Sequence, residues 1–212
     1  MKKILAIMTA IMLVLTLAAC GSTDEKETAA NTNDSVQTND ATESEGGETN
    51  KPQTTDSAAL NVLNTVWATY ADDEKFPGAG GDMSEENMNM EGPGIYGLED
   101  AEAIDATLGI PAASLEKIDG AASLVHMMNA NTFTAGAYSL KNAGDAETLA
   151  TELQGNIQGR QWMCGFPEKL VIMNVDGVVV SAFGNGEIID NFVSKVNASF
   201  ATAETLVDEP IR

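Results

Sequence analysis

Cys164 and His126 are the pair of side chains in this sequence that could carry thiol chemistry. A histidine close to a cysteine takes up the thiol proton and leaves a thiolate, the nucleophile of thiol-dependent hydrolases and acyltransferases. Asn129 or Asn131 could then orient the imidazole. Nothing in the spacing requires this arrangement, because His126 lies in an apolar run and Cys164 closely follows Trp162, a setting typical of a small buried residue. We therefore assign no catalytic residues and keep a thiol-dependent enzyme as an alternative.

Residues 72–96 collect carboxylates, methionines and glycines in a stretch without helical or strand periodicity. Carboxylate oxygens are ligands of calcium, but the spacing departs from an EF-hand loop, with Asn87 in place of glycine and Pro93 in place of glutamate. Methionine thioethers bind Cu(I), although loop methionines usually pack against a core. A cation-binding or cation-sensing protein is therefore kept as the second alternative function. We assign no metal site and predict no cofactor. The candidate calcium ligands are Asp72, Asp73, Asp82 and Glu86.

Long loops without secondary structure often carry function, so we expect residues 72–96 to be the contact region of a non-enzymatic binding module. Its ligand would be another surface protein, a peptide or a small molecule. The predicted contact residues are Trp67, Tyr70, Phe76, Asp82, Met83, Met88 and Met90.

The charge balance excludes several classes of partner. The 212 residues include 32 acidic and 11 basic side chains, which gives a net charge of −21. Such a charge repels phosphate backbones and anionic lipid head groups. We therefore predict no nucleic-acid partner and no direct electrostatic docking on a membrane.

The first twenty residues contain the parts of an export signal in the expected order. Two lysines precede the apolar stretch 4–17, which is shorter than the roughly 20 residues of a membrane-spanning helix. Leu17-Ala18-Ala19-Cys20 then resembles the lipobox of bacterial lipoproteins. The resemblance implies cleavage after Ala19, lipidation of Cys20 and attachment to the extracytoplasmic face of the bacterial cell membrane. Residues 1–19 are accordingly predicted to be a signal peptide.

Residues 20–56 are predicted to form a disordered linker behind the lipidated cysteine. Serine, threonine, asparagine and acidic residues dominate this segment. It cannot bury enough apolar surface to offset the entropy lost on ordering. The remaining residues, 57–212, are predicted to form one globular domain.

Hydrophobic periodicity within residues 57–212 predicts an α+β domain. An amphipathic helix begins near Ser57, with Thr55 or Asp56 as its N-cap, and a short helix covers 99–108. A ββα unit then occurs twice, with strands at 121–128, 132–140, 170–175 and 178–183. Asp176-Gly177 predicts a two-residue type I′ turn, and Asp145 is a candidate N-cap for the helix between the pairs. We therefore expect an antiparallel four-stranded sheet with helices covering one face.

Four segments of the domain resemble parts of lipoproteins of gut clostridia. These segments are Trp67-Ala-Thr-Tyr70, Glu74-Lys-Phe-Pro77, the stretch 129–138 and the stretch 160–167. The resemblance covers most of residues 57–200. It implies a surface lipoprotein and brings no activity that can be assigned to particular residues.

Overall fold

The computed structural model describes residues 57–82 and 84–212. The α+β class is confirmed, with helices combined with a seven-stranded antiparallel sheet. The predicted signal peptide, lipidated cysteine and linker lie outside the described residues. In chain order the elements are α1 (Ala58–Trp67), β1 (Gly78–Ala79), β2 (Gly94–Tyr96), α2 (Ala101–Leu108), a 3-10 helix (Ala112–Lys117), β3 (Ile118–His126), β4 (Phe133–Leu140), a second 3-10 helix (Ala143–Asp145), α3 (Ala146–Gln158), β5 (Lys169–Val175), β6 (Val178–Gly184), α4 (Gly186–Ser199) and β7 (Glu204–Pro210).

The hairpin of β5 and β6 forms as the sequence predicts. Asp176 and Gly177 have φ values of 50° and 84°, so both central residues are left-handed, as a type I′ turn requires. This turn matches the twist of the strands and sets their register, with Val175 opposite Val178. The hairpin is therefore specified by local sequence.

The sheet is wider than the four strands predicted. Its order is β1-β3-β4-β6-β5-β7, and β2 also pairs with β3. The four predicted strands form the centre. The additional strands come from the segment 72–96, which was expected to be irregular, and from residues 204–210, which were assigned no element. The first hairpin also has a longer turn than predicted, because β3 begins earlier, at Ile118, and ends at His126, which leaves Met127 and Met128 in the turn.

Helices cover both faces of the sheet, and the prediction that they cover one face is wrong. α1 and α4 pack on one face, whereas α2 and α3 pack on the other. The reason is visible in β6, where every residue from Val178 to Gly184 is buried. A strand that is apolar on both sides needs a covering layer on each side.

Side chains cap the N-termini of α2 and α4. The N-termini of α1 and α3 differ from the predicted capping. The side chains of Asp100 and Asn185 accept hydrogen bonds from the first turns of α2 and α4. Ser57 is the N-cap of α1, so neither Thr55 nor Asp56 holds that position. Asp145 holds the N-cap position of α3, but its side chain makes no capping hydrogen bond. In the described part of the chain, no helix has the length and apolar character needed to cross a bilayer.

Candidate functional site

The three aromatic residues predicted to contact a partner form a cluster beside the core. Trp67 and Tyr70 are buried, and Phe76 lies 5.1 Å from Trp67 and 6.2 Å from Tyr70 between ring centroids. The indole N–H of Trp67 donates to the carbonyl oxygen of Glu91 at 3.0 Å. These rings therefore join α1 to the segment 72–96 and offer little surface to a large partner.

Asp82 organises a turn within the segment 72–96. Its carboxylate accepts hydrogen bonds from Asn87 Nδ2 at 2.8 Å and from the backbone N–H of Gly97 at 2.9 Å, as well as from Ser84. Partial burial would raise the pKa of Asp82, but these hydrogen bonds outweigh it and hold the pKa below its ordinary value. Gly80 and Asn89 form a bridge across the base of the same turn. Asp82 thus stabilises an ordered segment.

Within the described residues, the candidate metal ligands do not form a metal-binding cluster. Asp72 and Asp73 are exposed, and Asp82 is occupied by donors of its own turn. Within residues 57–82 and 84–212, no group of three or more His, Cys, Asp or Glu side chains, Glu86 included, is placed to hold a metal ion. Among the methionines of this segment that could have bound Cu(I), Met88 and Met90 are 43% and 52% exposed, whereas Met83 lies outside the described residues.

His126 and Cys164, the two residues considered for thiol chemistry, have different surroundings in the structure. His126 ends β3, where its ring stacks on Phe76 with centroids 5.5 Å apart and its Nδ1 accepts from the N–H of Met128 at 3.2 Å. Cys164 is exposed on the loop before β5, so the expectation that it is a small buried residue is wrong. Among the described residues, no hydrogen bond joins the imidazole and the thiol. The geometry therefore gives no support to a cysteine–histidine pair.

Asn129 and Asn131, proposed from sequence to orient His126, instead connect two loops. Asn131 Nδ2 donates to the carbonyl oxygens of Met163 at 2.9 Å and Gly165 at 3.0 Å. Asn129 Nδ2 donates to the carbonyl oxygen of Cys164 at 3.3 Å. Three consecutive carbonyls of the 160–168 loop are thereby bonded to the β3–β4 turn. The two asparagines hold both loops in one arrangement.

Four large apolar side chains project from these connected loops into solvent, and we call them the apolar loop surface. Their exposed fractions are 47% for Met127, 81% for Met128, 78% for Met163 and 78% for Phe166. Single exposed apolar residues are ordinary on a soluble protein, whereas several on adjoining segments mark an interaction site. This surface is the strongest candidate for a contact site.

A cleft of about 660 Å³ lies beside the apolar loop surface, between α2 and the 160–168 loop. Arg160 in its wall donates hydrogen bonds to the backbone oxygen and carboxylate of Asp105. Trp162 packs on Phe183 with ring centroids 5.4 Å apart, and the buried indole N–H of Trp162 has no acceptor among the described residues. Glu102 also lines the cleft. The indole N–H of Trp162 is thus a buried donor that the described protein leaves unpaired.

The apolar loop surface lies at the end of the sheet opposite the point where the described chain begins. At one end of β4, the backbone N–H of Ala59 donates to the hydroxyl of Ser139 at 3.0 Å. At the other end, Phe133 follows the turn that carries Met127 and Met128. The two ends are about 20–25 Å apart at the ordinary rise of a strand.

Sequence reasoning missed this site for identifiable reasons. Met127 and Met128 continue an apolar run and were assigned to a strand, where one of them would face the core. The residues around Cys164 suggested a packed segment, because Trp162 and Phe166 are large and apolar. A usable signal was the pair Asn129 and Asn131 in a short turn, since amides there can bond to another segment.

Comparison with known proteins gives no relative from which a function could be transferred. No protein-family model matches the sequence, and neither the curated proteins nor the solved structures yield a match to it.

Proposed function

We propose that this chain is a lipid-anchored, extracytoplasmic binding module without enzymatic activity, and that its apolar loop surface binds a basic polypeptide segment of another surface protein. The observation that carries the proposal is the exposure of four large apolar side chains on two loops that Asn129 and Asn131 hold together. This surface replaces the segment 72–96 as the proposed contact region, because the aromatic residues of that region lie largely in the core.

The composition of the surface favours a polypeptide partner. Three of its four side chains, Met127, Met128 and Met163, are methionines, whose flexible thioethers adapt to partner surfaces of different shape. Phe166 adds a rigid ring of the kind that fills a pocket or packs on an aliphatic side chain.

The charge of the protein favours a basic partner. The net charge is −21, and Lys117, Arg160, Lys169 and Lys195 are each already paired with a carboxylate. The unbalanced charge is therefore negative over the described body. Complementary charge accelerates association and disfavours acidic partners.

The proposed anchor at Cys20 is consistent with a partner that approaches from the solvent side. The described chain begins near Ser139, whereas the apolar loop surface lies at the opposite end of β4. The apolar loop surface is thus at the far end of β4 from Ala59, which is near the first described residue. The acidic body would also be repelled by anionic lipid head groups.

Calorimetric titration with a defined amphipathic peptide of leucine and lysine tests the binding proposal. The test variant combines Met127→Ser, Met128→Ser, Met163→Ser and Phe166→Ser. We expect it to bind about a hundredfold more weakly or worse, since each buried apolar side chain is worth roughly 1.5–3 kcal/mol and about 1.4 kcal/mol is tenfold in affinity.

The chain offers a matched control for this experiment. Met88→Ser combined with Met90→Ser removes exposed methionines that are not part of the apolar loop surface and should leave the titration unchanged. A peptide with glutamate in place of lysine should not bind the unmodified protein. Equal affinity of the lysine peptide for both serine variants would contradict the proposal.

Mass spectrometry of the mature protein from its native host tests the anchor separately. We expect an N-terminal cysteine that carries a diacylglyceryl group, and a Cys20→Ala variant that retains its leader. An intact leader on the unmodified protein, or a free thiol at its mature N-terminus, would contradict this part of the proposal without affecting the binding surface.

A further inference from the structure

A second, smaller pocket lies between the residues that follow α1 and the first turns of α4. Its volume is about 210 Å³. Ligand pockets for drug-sized molecules are larger, roughly 300–1,000 Å³, so this one suits a small head group. Its walls are formed by Tyr70, Glu74, Phe76, Glu187, Ile188 and Asn191. We propose that this pocket binds a small organic ammonium group, such as the trimethylammonium group of choline, between the ring of Phe76 and the Glu187 carboxylate.

Two aromatic rings line this pocket. The rings of Tyr70 and Phe76 stand 6.2 Å apart at 87° and form a corner. The electron-rich faces of aromatic rings attract ammonium groups, and quaternary ammonium ligands are commonly bound by two or more rings. Burial, followed by the nearby charge of Glu74, raises the pKa of Tyr70, so this wall remains a neutral phenol ring.

The protein already places one ammonium group against this cluster. Lys195 Nζ lies 4.4 Å from the centroid of the Tyr70 ring, 2.9 Å from Glu74 Oε2 and 3.2 Å from the carbonyl oxygen of Thr69. Tyr70 therefore binds an intramolecular cation, and Glu74 balances the charge of that cation. A ligand would use the remaining part of the pocket, next to Phe76 and Glu187.

Glu187 supplies the negative charge for a ligand cation. It is exposed in the first turn of α4, and its carboxylate makes no hydrogen bond or ion pair with the other described residues. A helix N-terminus ordinarily favours anions. Here Asn185 accepts from the N–H groups of Glu187 and Ile188, while Glu168 accepts from that of Gly186. With these donors occupied, the free carboxylate determines the charge preference of the pocket.

Choline and its uncharged isostere 3,3-dimethyl-1-butanol are the probes that test the proposal on the folded protein. The two molecules have nearly the same shape and differ in charge. We expect choline to bind with a dissociation constant in the millimolar range and the isostere to give no saturable signal, as measured by calorimetry. Choline that fails to bind, or an isostere that binds equally well, would overturn the proposal.

Two exposed substitutions give a matched comparison that does not depend on altering the core. Glu187→Gln should weaken choline binding about two- to fivefold, the range expected of an exposed ionic contact. Glu204→Gln removes the same charge from exposed β7 and should leave the affinity unchanged. Equal affinities in the two variants would show that general attraction to an acidic protein accounts for any choline binding, and the proposed site would be wrong.

Discussion

Replacing Asn131 by alanine removes the two hydrogen bonds that hold the carbonyls of Met163 and Gly165 at 2.9 and 3.0 Å. The turn itself should persist, because the backbone N–H of Asn131 still donates to Asn129 Oδ1 at 2.9 Å. Each lost bond is worth about 0.5–1.5 kcal/mol, and the lower half of that range applies because the site is exposed. The free energy of opening the 160–168 loop should therefore fall by about 1–2 kcal/mol.

Native-state proteolysis with chymotrypsin, which cleaves after aromatic residues such as Trp162, measures this quantity, because the cleavage rate follows the population of the opened loop. A loss of about 1.4 kcal/mol corresponds to roughly tenfold faster cleavage after Trp162. Cleavage within β6 should not change, because the sheet protects that strand. As a control, Asn142→Ala removes the side chain that accepts from the N–H of Gly144 at 3.1 Å and should leave cleavage after Trp162 unaffected. An unchanged cleavage rate in the Asn131 variant would show that the amide contacts do not hold the loop.

Three further outcomes follow from particular residues. Gly184→Ala should lower the free energy of unfolding by about 2–4 kcal/mol in urea titrations, because φ is 154° and an added Cβ would lie 2.2 Å from a backbone oxygen. Gly155→Ala should instead raise it by up to about 1 kcal/mol, because Gly155 lies in a helix with no atom within 4 Å of the new Cβ. Partial burial opposes ionisation of Glu152, but hydrogen bonds from Ser114 and Lys117 lower its pKa below the ordinary value of 4.5, so its contribution to stability is present above that pH and is lost as the pH falls further. The stability difference between the unmodified protein and Glu152→Gln should accordingly shrink between pH 6 and pH 3, and a constant difference would contradict the assignment.

The central strands could be predicted because their signals are local. The runs 170–175 and 178–183 are rich in β-branched residues, and Asp176-Gly177 between them favours one turn type. By contrast, β7 combines three acidic residues with a terminal Pro210, and it forms by pairing with β5, about 30 residues earlier in the chain. Such an edge strand depends on a partner that a local pattern does not reveal.

The covering of both faces could have been inferred from the sequence. The run Val178–Phe183 contains apolar residues at both odd and even positions, which is typical of a strand buried on two sides. The expectation of helices on one face gave too little weight to this run. The short strands within 72–96 were harder to predict, since Gly78 and Gly94 pair with the edge of β3 where side chains have no room.

Residue type alone does not predict which large apolar side chains are exposed. Trp67 and Tyr70 are predicted contact residues, but Trp67 lies on the inner side of α1, Tyr70 follows the helix, and both are buried. Phe166 and Met163 are equally apolar and are exposed, because the loop that carries them is held by asparagine amides and not by a packed core. The difference arises from long-range contacts of a few polar side chains.

Position-specific photo-crosslinking on intact cells tests the central claim that the apolar loop surface contacts a partner. A photoreactive amino acid replaces Met128 in one variant and, in a second, the exposed Met90 of the segment 72–96. The account predicts a discrete adduct of one surface protein from position 128, lost when Met163 and Phe166 are changed to serine, and no such adduct from position 90. The same pattern from both positions, or no adduct from position 128, would contradict it.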